Sequence, residues 1–269
     1  MITLALWLTF QQSNFNPATL IQCQEGELPI ILTAPHGGKL SIAGVPERSK
    51  IDTPQFATVE DIRTNLLAER TAVQIEKDTG KKVFIVIAKF ARKYADANRP
   101  VKYGTECEAA AKVHQEYHKT LKTYVDKVTK NFPQALLIDI HGQGSDKAVV
   151  YRGTQNRKTV TGFPEVQITG PSSLLGKLES SGIKLVPENK DSEAKETTKF
   201  TGGYIVQTYG AKSQPKIMAI QLEWGSNYRQ TSTLDETADK LAKAIESHYI
   251  AYLAQSNFEY DSVKKINAD

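Results

Sequence analysis

Four short polar motifs stand on or just after apolar runs of the chain. They are Pro35-His36-Gly37-Gly38, Asp96-Ala97-Asn98-Arg99, Asp139-Ile140-His141-Gly142 and Leu222-Glu223-Trp224. Only 5 histidines occur in the chain, and His36 and His141 both end such runs. A zinc ion that activates water needs imidazole or carboxylate ligands and one open position. A further carboxylate can move the proton, and an arginine can grip a substrate carboxylate. Together these residue types fit zinc-assisted hydrolysis of an amide bond.

The motifs differ in how much they say alone. Gly37 and Gly38 let the backbone turn sharply and are expected to leave space beside the His36 ring for a metal or substrate. A structural histidine in a tight turn is the plain alternative. In a strand, Asp139 and His141 project to the same side. Asp139 can then accept from the ring nitrogen that faces away from the metal, fixing the tautomer. A carboxylate rarely sits in so apolar a strand without such a partner. A third ligand is required, and Glu60 and Asp61 both qualify. Acidic residues in the first turn of a helix also serve its dipole, so the residues alone leave this choice open.

Glu223 falls at the end of the run Ile-Met-Ala-Ile-Gln-Leu-Glu-Trp-Gly and is expected to take a proton from water and pass it to a leaving nitrogen. A surface ion pair is the bland alternative. Trp224 beside it is expected to exclude water and raise the pKa of the acid. Arg99 is expected to hold a substrate carboxylate, with help from Arg92 and with Asn98 as an added donor. The competing reading is an arginine paired with Asp96 to hold the loop. Gly203, Tyr204 and Arg229 are expected to line the same pocket.

These residues need a frame. Leu28–Ala34, Lys82–Ala88, Ala135–Ile140 and Met218–Leu222 read as buried strands, with shorter strands beginning at Val149 and at Ile183. Helices are expected from Thr58 to Thr79, with Thr58 as N-cap, from Thr105 to Asn131, from Ser172 to Ser181 and from Leu234 to Leu253. Lys39–Thr58 and Lys190–Phe200 read as loops. Strands alternating with helices, and continuous rather than alternating apolar runs, imply an α/β/α sandwich over a mixed, mostly parallel sheet. Ligands bind beyond the C-terminal strand ends in such sheets, where His36 and His141 fall. No repeat or composition break divides residues 21–269, which read as a single hydrolase domain, and residues 1–20 as an export segment or a disordered N-terminus.

The bulk numbers remove other classes. A net charge of +4 over 269 residues, with no dense basic block, does not suggest nucleic-acid binding. The lysines from Lys119 to Lys130 are spaced like the wet face of a helix. Met1–Phe10 is apolar but too short to span a membrane, and nothing later reads as a span. No basic residue precedes it, so export and a cytoplasmic location are both left open. Cys23 and Cys107 are the only cysteines and lie in no CxxC pair; a single disulfide and two free thiols are both open.

Taken in order, Pro-His-Gly-Gly, Ala-Arg-Lys-Tyr-Ala-Asp-Ala-Asn-Arg-Pro, Asp-Ile-His-Gly and the late Leu-Glu resemble the N-formylglutamate amidohydrolase family, over about residues 28 to 230. The Asp-Ala-Asn-Arg stretch is also similar to the carboxylate-binding Asn-Arg of zinc carboxypeptidases. The resemblance implies a zinc-carboxypeptidase-like sheet and one Zn2+ held by His36, His141 and a carboxylate, for which Asp61 is the best match. It implies Glu223 as general base, and Asn98 and Arg99 as the substrate-carboxylate site. The substrate implied is an N-acyl amino acid or a short peptide with a free carboxylate. Two departures stand out. Carboxypeptidases carry a glutamate three positions after the first histidine, where this chain has Lys39, and Thr64-Asn65-Leu66-Leu67 lacks the second acid of many family members. Rival readings are a metallocarboxypeptidase or cell-wall or polyglutamate peptidase, and a non-catalytic binding module on a hydrolase fold. Retention of both histidines and Glu223 speaks against the last.

Overall fold

The continuous apolar runs become the strands of one sheet. They are β1 (Ile21–Gln24), β2 (Ile30–Ala34), β3 (Phe84–Ala88), β4 (Ala135–Gly142), β5 (Val150–Gly153), β6 (Leu185–Val186) and β7 (Ile217–Trp224). Their order in space is β1-β3-β2-β4-β7-β5-β6. This computed structural model describes residues 15–254 except 51, 53 and 192. The apolar Met1–Phe10 stretch lies outside the described residues. Pro17–Leu20, inside the segment read as leader, form a 3-10 turn that feeds β1.

β3, β2, β4 and β7 run parallel as the centre of the sheet. β1 and β5 join antiparallel, and β6 pairs parallel with β5. Every residue of β2, β3 and β7 is buried, which is why these strands read as solid apolar runs.

Seven α-helices occur among the described residues: α1 (Thr64–Thr79), α2 (Val101–Gly104), α3 (Glu108–Asn131), α4 (Glu165–Ile168), α5 (Leu174–Ser180), α6 (Tyr204–Tyr209) and α7 (Leu234–His248). One core packs Leu32, Ile138 and Ile220 of the sheet against Leu67 and Ile75 of α1, Leu175 of α5, and Leu241 and Ile245 of α7. The other packs Ile31, Val86, Leu137 and Ala219 against Val113, Tyr117, Leu121 and Val125 of α3 and Ile205 of α6. Successive strand residues therefore alternate between two apolar layers. The α3 stripe recurs at steps of three and four, and each such side chain contributes about 1.5–3 kcal/mol by leaving water.

Two expectations need correction. The helix read from Thr58 starts at Thr64; Arg63 ahead of it has φ +64° and gives no side-chain cap. The left-handed turn costs about 1–2 kcal/mol in a residue with a Cβ, and it separates Glu60 and Asp61 from the helix. The helix read from Thr105 starts at Glu108. Of the two cysteine readings left open, the structure has the free thiols: no disulfide links Cys23 and Cys107. Among the described residues no helix is long and apolar enough to cross a membrane.

Candidate metal centre and active site

The four parallel strands deliver their ends to one edge of the sheet. His36 follows β2 by two residues, and His141 sits in β4 directly opposite Glu223 of β7. By alternation from Leu137 and Ala219, the side chains of Asp139, His141, Gln221 and Glu223 lie on the α3 side of the sheet.

The His36 and His141 rings meet edge to face with centroids 4.7 Å apart. Asp61 stands between them: its Oδ2 lies 3.4 Å from Nδ1 of His36 and 3.2 Å from Nδ1 of His141. The Gly142 N–H donates to the same oxygen at 3.1 Å. Both far nitrogens are held by buried carboxylates. Nε2–H of His36 donates to Asp96 at 2.6 Å, and Nε2–H of His141 donates to Asp139 at 2.9 Å. Asp139 in turn accepts from the Thr33 hydroxyl at 2.7 Å. Each Nδ1 is thereby left facing Asp61.

Ligand atoms of His36, Asp61 and His141 all lie within 4.8 Å of one another. Nδ1 of His36 is buried and has no hydrogen-bond partner. A buried polar atom without a partner calls for an explanation, and a cation held jointly with Asp61 supplies one. Two imidazoles and a carboxylate, each imidazole backed by an acid, could hold a metal ion. Burial opposes charge on His141, yet the charge and hydrogen bond of Asp139, with a bond to Asp61, raise its pKa well above the usual range. A cation entering here displaces a proton. Burial likewise opposes charge on Asp61, but the two histidines beside it, His141 before His36, hold it below the ordinary carboxylate range.

Of the two acids that the residues alone left open, Asp61 is the one that stands with the histidines. Glu60 does not face the histidines; it lies 3.6 Å from the exposed Lys39 ammonium. Lys39, at the position of the carboxypeptidase glutamate, points to that surface pair.

The loop after β3 supplies the rest. Asp96 is fully buried and accepts from Arg92 at 2.8 Å and from the Asn98 N–H at 3.0 Å, with Arg48 at 3.6 Å. Desolvation would raise its pKa, but Arg92 and His36 hold it well below the usual range. Arg92 also reaches Asp61 at 3.5 Å. It was expected to bind substrate; the structure engages it with two carboxylates of the site instead. Arg99 is different. It donates to the Asn98 and Gln55 carbonyls at 2.7 and 3.0 Å, and its Nε has no partner. No carboxylate of the described residues pairs with it, and it lines the cavity over the site.

Asn98 was expected to offer the substrate a donor. Its Oδ1 accepts from the Ile205 N–H at 2.8 Å, and its Nδ2 donates to Gln221 at 3.2 Å and packs 3.0 Å from Nε2 of His141. The amide thus braces the site from within. Gly203 lines the cavity, and its N–H donates to Gln221 at 2.7 Å; a Cβ there would fall 2.3 Å from Asn98. Tyr204 does not line the cavity. Its ring packs near His114 and His118 of α3, with centroids 6.4 and 5.2 Å away. Arg229 does line it, donating to the backbone carbonyls of Trp224 at 3.0 Å, Gln143 at 3.3 Å and Ile62.

Glu223 is buried, and desolvation pushes its pKa up to about 7, against the opposing charge of His141. Gln221 donates to it at 2.8 Å. Trp224 does not cover it: by strand alternation the indole lies in the opposite layer, with Leu222 and Leu234. Gly37 and Gly38 also act differently from expectation. A Cβ on Gly37 would fall 2.6 Å from the Asn65 nitrogen, and one on Gly38 2.4 Å from the Lys89 carbonyl carbon. The missing side chains admit neighbouring backbone rather than a metal.

Two site residues were not anticipated. Asp96 had been read as a loop acid, and Gln221 had not been singled out. The period-two rule applied to Glu223 points to Gln221; nothing local links Asp96 to His36, 60 residues away.

No family model and no curated protein matches the chain. Solved structures do. An N-formylglutamate amidohydrolase from Ralstonia eutropha JMP134 aligns with a TM-score of 0.58 at 14% identity, covering 87% of this chain and 98% of that one. A gene product of Agrobacterium tumefaciens aligns with a TM-score of 0.56 at 10% identity, covering 88% and 98%. The chain shares the fold of these proteins.

Proposed function

We propose that the chain is a zinc-dependent amidohydrolase acting on an N-acyl amino acid of the N-formylglutamate kind, or on a short peptide with a free carboxylate. One observation carries this reading: two buried imidazoles face one carboxylate through Nδ1 while their far nitrogens are fixed by Asp96 and Asp139. The fold shared with an N-formylglutamate amidohydrolase supports it.

His36, Asp61 and His141 would hold the ion. When bound there, zinc supplies Lewis-acid polarisation of the amide carbonyl and acidifies water. Glu223, with a pKa lifted to about 7, takes the proton of the attacking water and returns it to the leaving nitrogen. Gln221 orients that carboxylate from beside it. Arg99, paired with no carboxylate of the described residues, binds the substrate carboxylate. Arg92 stays in place between Asp61 and Asp96, its charge kept by both acids. Asp139, held by Thr33, fixes the His141 ring.

The test is a hydrolysis screen of N-formyl, N-acetyl and dipeptide substrates with added zinc, together with metal content by atomic absorption. Bound zinc and release of the amino acid are expected. Protein that takes up no zinc and cleaves none of these substrates overturns the reading.

A further inference from the structure

The segment from Gln55 to Ile62 carries Asp61 and also forms one wall of the cavity. Phe56, Val59 and Ile62 of this segment all line it. Val59 is 76% exposed and Ile62 49%, although the sheet offers ample apolar cover elsewhere. Scattered surface hydrophobics need no explanation. These are not scattered, and they are not free to fold inward. The backbone that presents them is pinned by three guanidinium groups, each on a carbonyl oxygen: Arg99 on Gln55 at 3.0 Å, Arg48 on Ala57, and Arg229 on Ile62. Asp61 adds a fourth tie, its N–H donating to the His36 carbonyl at 3.0 Å.

The ties also set an order along the segment. The Gln55 end meets Arg99, the proposed carboxylate grip. Asp61, at the candidate metal centre, and Ile62 lie towards the other end, beside Arg229. Arg229 donates to three backbone carbonyls, through Nε and both terminal nitrogens. With its carboxylate on Arg99, a substrate that reaches past Asp61 would bring its acyl group to Val59 and Ile62. The cavity, about 700 Å³, is of the size that takes a drug-sized ligand, well beyond a formyl amino acid.

We infer that the acyl group of the substrate is an apolar chain longer than formyl or acetyl, seated against Val59 and Ile62. This rests on the amidohydrolase reading above and names its substrate class more narrowly.

The experiment is a series of N-acyl glutamates with formyl, acetyl, butanoyl, hexanoyl and octanoyl groups, assayed with the zinc-loaded full chain. The value of kcat/KM should climb about fourfold per methylene until the seat is filled. In Val59→Ser and Ile62→Ser the ratio of hexanoyl to formyl kcat/KM should fall about tenfold. Val73→Ser, at an exposed position of α1 outside the cavity, should leave that ratio unchanged. Cleavage of N-formylglutamate with a flat or falling chain-length series overturns this inference and leaves the amidohydrolase reading standing. A rising series that neither serine variant alters overturns the seat. No hydrolysis of any member is a failure of the parent reading. The wild-type series decides even if a variant fails to fold.

Discussion

The protein has two histidine pairs, and they differ in one respect. His36 and His141 have ring centroids 4.7 Å apart at the sheet edge; His114 and His118, both on α3, have theirs 4.5 Å apart. In the first pair each far nitrogen meets a buried carboxylate. In the second, Nε2–H of His114 donates to the Arg99 carbonyl and Nε2–H of His118 to the Ala97 carbonyl, both at 2.8 Å. The consequence is opposite charge behaviour. Asp139 lifts the His141 pKa, whereas burial lowers that of His114 and pushes that of His118 down to about 4. A carboxylate behind a buried imidazole makes a base and a ligand; a carbonyl behind it makes a neutral strut. The second pair props the loop that carries Asn98 and Arg99, and the first faces the cavity.

The sharpest way to break this contrast is at the shared acid. Asp61→Asn should reduce bound zinc to background and abolish hydrolysis, while His118→Phe should keep zinc at the wild-type level; metal content of the two variants checks both. Glu223→Gln should retain zinc yet lose about 10²–10⁴-fold in kcat, since only the proton shuttle is removed.

That carboxylate also predicts a pH profile. Glu223 acts as base only when ionised, so kcat/KM should rise with pH through an acid limb. Its pKa of about 7 in the protein alone sets the upper bound of that limb, because a cation nearby favours the charged form. A kcat/KM that falls as pH rises from 4 to 7 would refute the assignment. Next in size, Asp139→Asn should weaken zinc binding about 10–100-fold through loss of the carboxylate behind His141, measured by competition with a chelator. Replacing a carbonyl-backed histidine should not change zinc affinity at all.

The smallest effect concerns a fifth histidine. His248 is buried with neither ring nitrogen bonded, and its pKa is pushed down to about 4 by burial. The folded value lies below the unfolded one, so stability is full above about pH 6.5 and is lost as pH falls toward 4. At pH 4.5 the loss is on the order of 2 kcal/mol. Urea titrations at pH 7 and pH 4.5 should show His248→Met losing less stability across that interval than the wild type does.

The central sheet was legible because strands buried on both faces leave solid apolar runs, as in Ile30–Ala34 and Ile217–Trp224. The Asp139–His141 contact was legible too, because two positions on one strand share a side. The same rule put Trp224 opposite Glu223, although adjacency in sequence had suggested that they touch. Asp96 beside His36 was not legible: their contact is made by two neighbouring parallel strands, and no local pattern records which loop meets which. The helix start failed for a related reason. Thr58 and Glu60 imitate a capped first turn, and only the left-handed Arg63 reveals that the chain was diverted to aim Asp61 at the histidines. Tyr204 follows Gly203, yet α6 begins there and turns the ring to α3.

The alternation in β4 and β7 has a consequence for how such a protein can change. In β4 positions 136, 138 and 140, and in β7 positions 218, 220 and 222, belong to the apolar layer under α1 and α7. Positions 139, 141, 221 and 223 hold the polar groups. The two sets are interleaved like separate tracks on one tape. Substitution on the polar track rewrites reactivity over a constant core, so new specificities are open to the fold by point mutation. Loss of one residue from β7 exchanges the tracks beyond it, and takes both packing and chemistry at once.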